Sequence, residues 1–151
     1  MCRALALLVC ASCATAPRAY RVELMDVAGP PSAPSAEELR EMIDHYVRAR
    51  AMRMSVPETQ VRQQLADISR IDFVLGQIPG HAPDTKTKRV CGEYRIRERV
   101  IVVRLDCNHV ARTLFHELTH HLWRKDFRDT FAMDRDLFEL AWIRRVERDY
   151  L

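Results

Sequence analysis

Three residues in the C-terminal third of the chain have the types and spacing of a metal site. His116, Glu117 and His120 form the pattern His-Glu-x-x-His. Residues four apart on a helix project from the same face, so the two histidines can bring two imidazole nitrogens to one metal ion. Zinc suits this pair because it binds neutral imidazole nitrogen and accepts four-coordinate geometry. The Glu117 carboxylate can then take the proton of a water molecule on the zinc ion.

The segment that carries this pattern is predicted to be a buried helix over residues 109–124. Asn108 is a suitable N-cap for it. An ordinary core helix with incidental histidines is the competing interpretation, but two buried polar side chains on one face need partners. The apolar residues that recur at helical spacing are Val110, Leu114, Phe115, Leu118 and Leu122.

The stretch from Leu114 to Trp123 resembles the active-site helix of the zincin metallopeptidases. The resemblance implies a zinc-dependent enzyme that hydrolyses a peptide or protein substrate, with His116 and His120 as zinc ligands and Glu117 as general base. It also implies that the strand before this helix, here Val100 to Leu105, forms the sheet edge along which the peptide lies. A non-catalytic zincin-like binding protein of the cell envelope is the alternative, but such a protein needs no base at position 117.

A catalytic zinc site usually has a third protein ligand, and Glu139 is the favoured candidate. It lies nineteen residues after His120, in the early turns of a predicted helix over residues 135–150. Its neighbours are largely apolar, so its carboxylate is costly to bury unless a cation pairs with it. The spacing of Glu139 and Ala141 also resembles the minimal gluzincins of the ImmA/IrrE type and of phages, which are similarly small.

Other residues are open alternatives for the third ligand. Asp126 occupies the metzincin position and Asp129 lies at the aspzincin distance, but the glycine of both families is absent. Asp136 is a further alternative. Cys91 or Cys107 would be the ligand if the chain resembled deformylase-type enzymes.

The group that would stabilise the oxyanion of the transition state is also open. The candidates are His121, Tyr94 and Arg144, and the sequence does not separate them.

The first sixteen residues have the order of an export signal. Arg3 is followed by a short apolar run and then by small residues. The run is too short to span a bilayer. Two outcomes remain open: cleavage after Ala16, or lipoprotein processing that leaves an acylated Cys13 and attaches the protein to a membrane. Either one predicts an exported protein that is periplasmic, secreted or lipid-anchored.

The placement of the five cysteines agrees with export. Cys2, Cys10 and Cys13 fall within the predicted signal, which leaves Cys91 and Cys107. An even pair in an oxidising compartment predicts a disulfide. A hairpin centred at residue 99 would place the two cysteines opposite each other, whereas two free buried thiols are the competing interpretation.

Composition and pattern predict a single α+β domain of the zincin type over residues 35–151. The chain has 151 residues, is 48% hydrophobic and carries a net charge of +3 mixed with acidic residues, so nucleic acid is not an expected partner. A Pro-rich linker is predicted over residues 17–34. The domain is expected to contain a small antiparallel or mixed sheet and three helices. The predicted strands lie near 71–75, 90–97 and 100–105, and the helices span Ser35 to Met54, the metal-site segment and 135–150; a shorter helix between 57 and 70 is left open.

Overall fold

The computed structural model describes residues 18–85 and 89–126. Within these ranges the chain forms five strands and three helices, an α+β arrangement that confirms the predicted class. In chain order they are β1 (Arg18–Val22), β2 (Met25–Gly29), α1 (Ala36–Met54), α2 (Glu58–Leu65), β3 (Arg70–Val74), β4 (Gly92–Arg95), β5 (Val100–Arg104) and α3 (Val110–Asp126). The predicted helix over 135–150 and the predicted export signal lie outside the described residues.

The five described strands form one mixed sheet in the order β1-β2-β3-β5-β4. Strands β2, β3 and β5 are parallel, while β1 and β4 pair with their neighbours in antiparallel fashion. The expectation that Val100 to Leu105 forms the sheet edge is therefore wrong. All five residues of β5 are buried, and the strand is paired on both sides. The edge strand beside it is β4.

The predicted linker is wrong for residues 18–29, which form the β1-β2 hairpin. Val22, Met25 and Val27 are buried with no more than 1% exposure each. Glu23 has φ of 54° in the turn between them. Pro30, Pro31 and Pro34, which suggested a linker, all lie after the end of β2.

All three described helices pack on one face of the sheet. The capping box predicted for α1 is present, since the Ser35 hydroxyl accepts from the Glu38 N–H and the Glu38 carboxylate accepts from the Ser35 N–H. The segment between residues 57 and 70, which the sequence left open, contains helix α2. The main core includes Leu39, Ile43, Val47, Val61, Leu65, Ile71, Phe73, Ile101, Val103, Leu114, Leu118 and Leu122. On the opposite face Ile78 packs with Val100 and Val102 in a smaller cluster.

No helix in the described ranges is both long enough and apolar enough to cross a membrane.

Candidate metal and catalytic site

The two histidines of the motif converge in space. Helix α3 holds His116 and His120 one turn apart, and their Nε2 atoms are 3.0 Å from each other. Two nitrogens bound at about 2.0–2.1 Å to one tetrahedral ion lie about 3.3 Å apart, so this spacing fits a shared zinc ion. Both side chains are half-buried, which leaves them accessible to a ligand. The arrangement is the one that the sequence predicts for these two residues.

Helix α3 starts at Val110, one residue later than predicted. His109 takes the N-cap position rather than Asn108, because the His109 carbonyl accepts the first helical hydrogen bond from the Thr113 N–H at 3.0 Å. His109 has φ of 66°. This left-handed turn redirects the chain from the end of β5 into the helix that carries the motif.

Glu117 lies where the helix contacts the edge strand. Its side chain is 5% exposed. A Cβ atom built on Gly92 of β4 would stand 2.6 Å from Glu117 Oε1 and 2.6 Å from Thr113 Cγ2. These distances are far below van der Waals contact, so only glycine permits this approach of strand to helix. The sequence alone did not single out Gly92, because its role depends on which strand lies beside α3.

A cavity of about 350 Å³ opens beside Glu117 and His116. One wall comes from the chain leading into β4, and the other comes from the first two turns of α3. The lining residues are Arg89, Val90, Cys91, Gly92, Arg112, Thr113, His116 and Glu117. A group bound there would contact both Glu117, the predicted base, and His116, a predicted metal ligand.

His121 connects helix α3 to helix α2 and strand β4. It is 2% exposed. Its Nε2 lies 2.9 Å from the Gln64 carbonyl, which only accepts, so Nε2 carries the hydrogen. Its Nδ1 then accepts from the Tyr94 hydroxyl at 2.8 Å. The Tyr94 hydroxyl thus donates to His121, and His121 donates to α2, which argues against either residue as the oxyanion donor. The third candidate, Arg144, lies outside the described residues.

A second buried link holds α3 against α1. The Thr119 hydroxyl donates to the Phe115 carbonyl at 2.8 Å, and the Tyr46 hydroxyl therefore donates to Thr119 Oγ1 at 2.9 Å. The rings of Tyr46 and Phe115 also pack at 5.4 Å between centroids. These contacts fix the side of α3 that faces away from the cavity.

Cys91 and Cys107 form the predicted disulfide, with Cα atoms 5.8 Å apart. The pairing is confirmed, and it excludes either cysteine as a zinc ligand while the bond is intact. The predicted register is wrong. Tyr94 pairs with Ile101, so the hairpin is centred between residues 97 and 98 rather than at 99. The Cys91 carbonyl accepts from the Arg104 N–H at 2.8 Å, and Cys107 reaches Cys91 only after the turn that follows β5.

An ion-pair network adjoins this disulfide. Arg104, with its side chain 3% exposed, binds Asp106 through Nε at 3.0 Å and Nη2 at 2.8 Å, and binds Asp84 through Nη1 at 2.6 Å. Arg89 binds Asp106 at 2.6 Å. The hydrogen bonds from Arg104, followed by its charge and by Arg89, hold the pKa of Asp106 well below its ordinary value. The network fastens the loop before β4 to the turn before α3.

The described side chains do not supply the predicted third ligand. Among the side chains that the structure describes, those of residues 18–85 and 89–122, no group of three His, Cys, Asp or Glu is placed to hold a metal ion. Helix α3 continues to Asp126, so the chain does not make the turn after His120 that a metzincin arrangement needs. Glu139, Asp129 and Asp136 lie outside the described ranges.

Comparison of the chain with protein-family models, with curated proteins and with solved structures finds no match. The case for a function therefore depends on the geometry of His116, Glu117 and His120 and on the cavity beside them.

Proposed function

We propose that this protein is a zinc-dependent metallopeptidase that hydrolyses peptide bonds in a peptide or protein substrate. The observation that carries the proposal is the convergence of the His116 and His120 Nε2 atoms, 3.0 Å apart, beside the buried Glu117. Two neutral imidazoles and an adjacent carboxylate form the donor set and the base that such hydrolysis requires. The cavity between β4 and α3 gives a substrate access to these groups.

His116 and His120 would hold the zinc ion, which, when bound, supplies a Lewis acid that polarises the scissile carbonyl. Glu117 removes the proton from the attacking water and transfers it to the leaving amine. Burial of Glu117 against Gly92 keeps its carboxylate in one place during both transfers. The substrate would lie in extended form along β4, since that strand borders the cavity and is the sheet edge on this side.

Glu139 is the proposed third ligand, and export to the periplasm, to the cell surface or to the medium is the proposed localisation. Export is supported by the Cys91–Cys107 disulfide, because such bonds persist in oxidising compartments. The apolar surroundings of Glu139 in the sequence support its role as a ligand.

The proposal is tested by separating metal binding from base catalysis. The full chain should bind about one zinc ion, and His116→Ala or His120→Ala should abolish this binding. Glu117→Gln keeps the size of the side chain, so zinc should remain while hydrolysis of a peptide library falls by about a hundredfold or more. Glu37→Gln, on the exposed first turn of α1, is the matched control and should change neither property.

Two results would overturn parts of the proposal. Full zinc occupancy in both histidine variants would refute the metal site. Tight zinc binding by a wild-type chain that cleaves no peptide would refute the peptidase activity and favour a zincin-like binding protein. Glu139→Ala should weaken zinc binding and lower the thermal midpoint, because bound metal contributes folding free energy; unchanged zinc affinity would direct the search to Asp129 or Asp136.

A further inference from the structure

Two arginines and one carboxylate line the cavity beside Glu117. Arg89, from the segment before β4, and Arg112, from the first turn of α3, both line it. Glu117 is the one carboxylate among the lining residues in the described chain. Two guanidinium groups next to a buried base and a metal ligand are not needed for peptide hydrolysis itself. Their position points to recognition of a substrate group.

Arg89 is held in place by a chain of ion pairs that begins in the buried part of the sheet. Its Nη2 donates to Asp106 Oδ2 at 2.6 Å and to the Asp106 carbonyl at 2.8 Å. Asp106 itself accepts hydrogen bonds from both Nε and Nη2 of Arg104, whose side chain is 3% exposed. The guanidinium of Arg89 is therefore fixed before a substrate arrives, which lowers the entropy lost on binding.

The remaining donors of Arg89 suit a carboxylate. None of the described contacts uses its Nη1, and its side chain is 46% exposed. Asp106 uses both hydrogens of Nη2, so a substrate carboxylate would accept from Nη1, and such charge-assisted bonds are stronger than neutral ones. Arg112 adds a second positive charge to the wall formed by α3. The volume of about 350 Å³ is large enough for a side chain of the size of glutamate or aspartate.

We propose that this cavity binds an acidic side chain of the substrate next to the scissile bond, so that the enzyme selects peptides with Glu or Asp at that position. The inference rests on the proposed peptidase function and adds the substrate class. Arg89 is the principal specificity residue, Arg112 assists it, and Asp106 positions Arg89.

The test compares matched peptides and matched variants in the full zinc-loaded chain. A random peptide library is digested, and the cleaved positions are read by mass spectrometry; peptides that differ only as Glu or Gln at the preferred position are then compared. The wild type should show kcat/KM about tenfold or more higher for Glu. Arg89→Met should reduce this ratio to about twofold or less while the zinc content is retained, and because the ratio is measured within one variant, a loss common to both peptides does not affect it. Arg89→Lys should retain part of the preference, because it keeps the positive charge but loses the planar guanidinium that Asp106 holds in place.

Arg112→Gln should lower the preference by a smaller factor, and Arg40→Gln, on the exposed side of α1, should leave it unchanged. A binding experiment gives a reading that does not depend on cleavage. The same library is captured on immobilised Glu117→Gln protein, with and without the Arg89→Met substitution, and the retained peptides are sequenced. Acidic peptides should be enriched only when Arg89 is present.

The outcomes separate the two proposals. Cleavage without acidic preference, or a preference that survives Arg89→Met, overturns this inference and leaves the peptidase function standing. Enrichment of acidic peptides that no form of the protein cleaves overturns the peptidase function and keeps the cavity as an acid-binding site. A library that is neither enriched nor cleaved overturns both.

Discussion

Gly92→Ala is the most direct perturbation of the contact that places the proposed base. The added methyl carbon would lie 2.6 Å from Glu117 Oε1, 2.6 Å from Thr113 Cγ2 and 3.0 Å from Glu117 Cγ. Comfortable contacts between carbon atoms are about 3.5–4.0 Å, so the overlap with Thr113 is about 1 Å. Thr113 is β-branched and stiff at χ1, so it cannot easily rotate away. Either Glu117 must be displaced or α3 must move off β4.

Two opposing effects determine the expected change in the free energy of unfolding. Gly92 does not have positive φ, so alanine should stabilise the chain by about 0.4–1 kcal/mol through the unfolded state. Overpacking of a tight contact costs about 1–3 kcal/mol. We therefore expect the free energy of unfolding to fall by about 1–2 kcal/mol. Hydrolysis should fall by about tenfold to a hundredfold, since a displacement of about 1 Å in a catalytic group has an effect of that size. Zinc binding should be retained.

Urea unfolding, zinc titration and peptide hydrolysis measure these three quantities. Thr113→Ser is the matched companion, because it removes Cγ2 and keeps the hydroxyl that donates to the His109 carbonyl. In the double variant Gly92→Ala/Thr113→Ser, the loss in the free energy of unfolding should be about 1 kcal/mol smaller than the sum of the losses in the two single variants. A Gly92→Ala protein with wild-type stability and wild-type hydrolysis would refute the claim that this contact positions Glu117.

Three further predictions concern the disulfide, the ion pair and the hydrogen bond that hold the site in place. Cys91→Ser/Cys107→Ser should lower the free energy of unfolding by about 3 kcal/mol, the loop-closure term for cysteines sixteen residues apart, and retained stability in denaturant would contradict this. The lowered pKa of Asp106 should stabilise the fold above the ordinary aspartate pKa of 3.8, and this contribution should be lost as pH falls from there through the lowered pKa. Unfolding measured between about pH 5 and about pH 2 should therefore show a flatter dependence in Asp106→Asn than in wild type. Tyr46→Phe should cost about 0.5–1.5 kcal/mol through loss of its buried hydrogen bond to Thr119, and an unchanged urea midpoint would show that this bond contributes nothing.

Helix α3 could be predicted from sequence because its signals are local. The spacing of His116 and His120 and the apolar stripe around them lie within four turns of one helix, so no knowledge of the tertiary fold was needed. The N-cap was misplaced by one residue, because His109 adopts a left-handed conformation that residue type alone does not indicate.

The sheet edge was predicted wrongly although the sequence contained a useful signal. Residues 100–103 read Val-Ile-Val-Val without polar interruption, which is typical of a strand buried on both faces. Residues 92–95 carry Glu93 and Arg95 on one face, as an edge strand can. The prediction relied on the strand order implied by family resemblance. The pattern of apolar and charged residues in the two strands would have favoured β4 as the edge.

The disulfide shows how a correct pairing can follow from an incorrect register. Two cysteines of the predicted exported domain had one possible partner each, so the pairing did not depend on the exact turn. The turn spans residues 96–99, with Arg99 at φ of 56°. The acid-binding cavity could not be predicted in the same way, because Arg89 and Gly92 reach α3 only through the β4–β5 register and the docking of the helix on the sheet.

The long-range contacts of the described chain act on two sides of α3, and His116 and His120 lie on a third side. The disulfide, the Arg104 network and Gly92 fix the side that carries Glu117. The Tyr46–Thr119 contact fixes the side toward α1. His116 and His120 project half-buried from between these fixed sides, and the described residues provide no third ligand to them. A three-ligand zinc site therefore requires a donor other than the described side chains, and Glu139 is the proposed one, which makes the Glu139→Ala zinc titration the measurement on which the proposed coordination depends most.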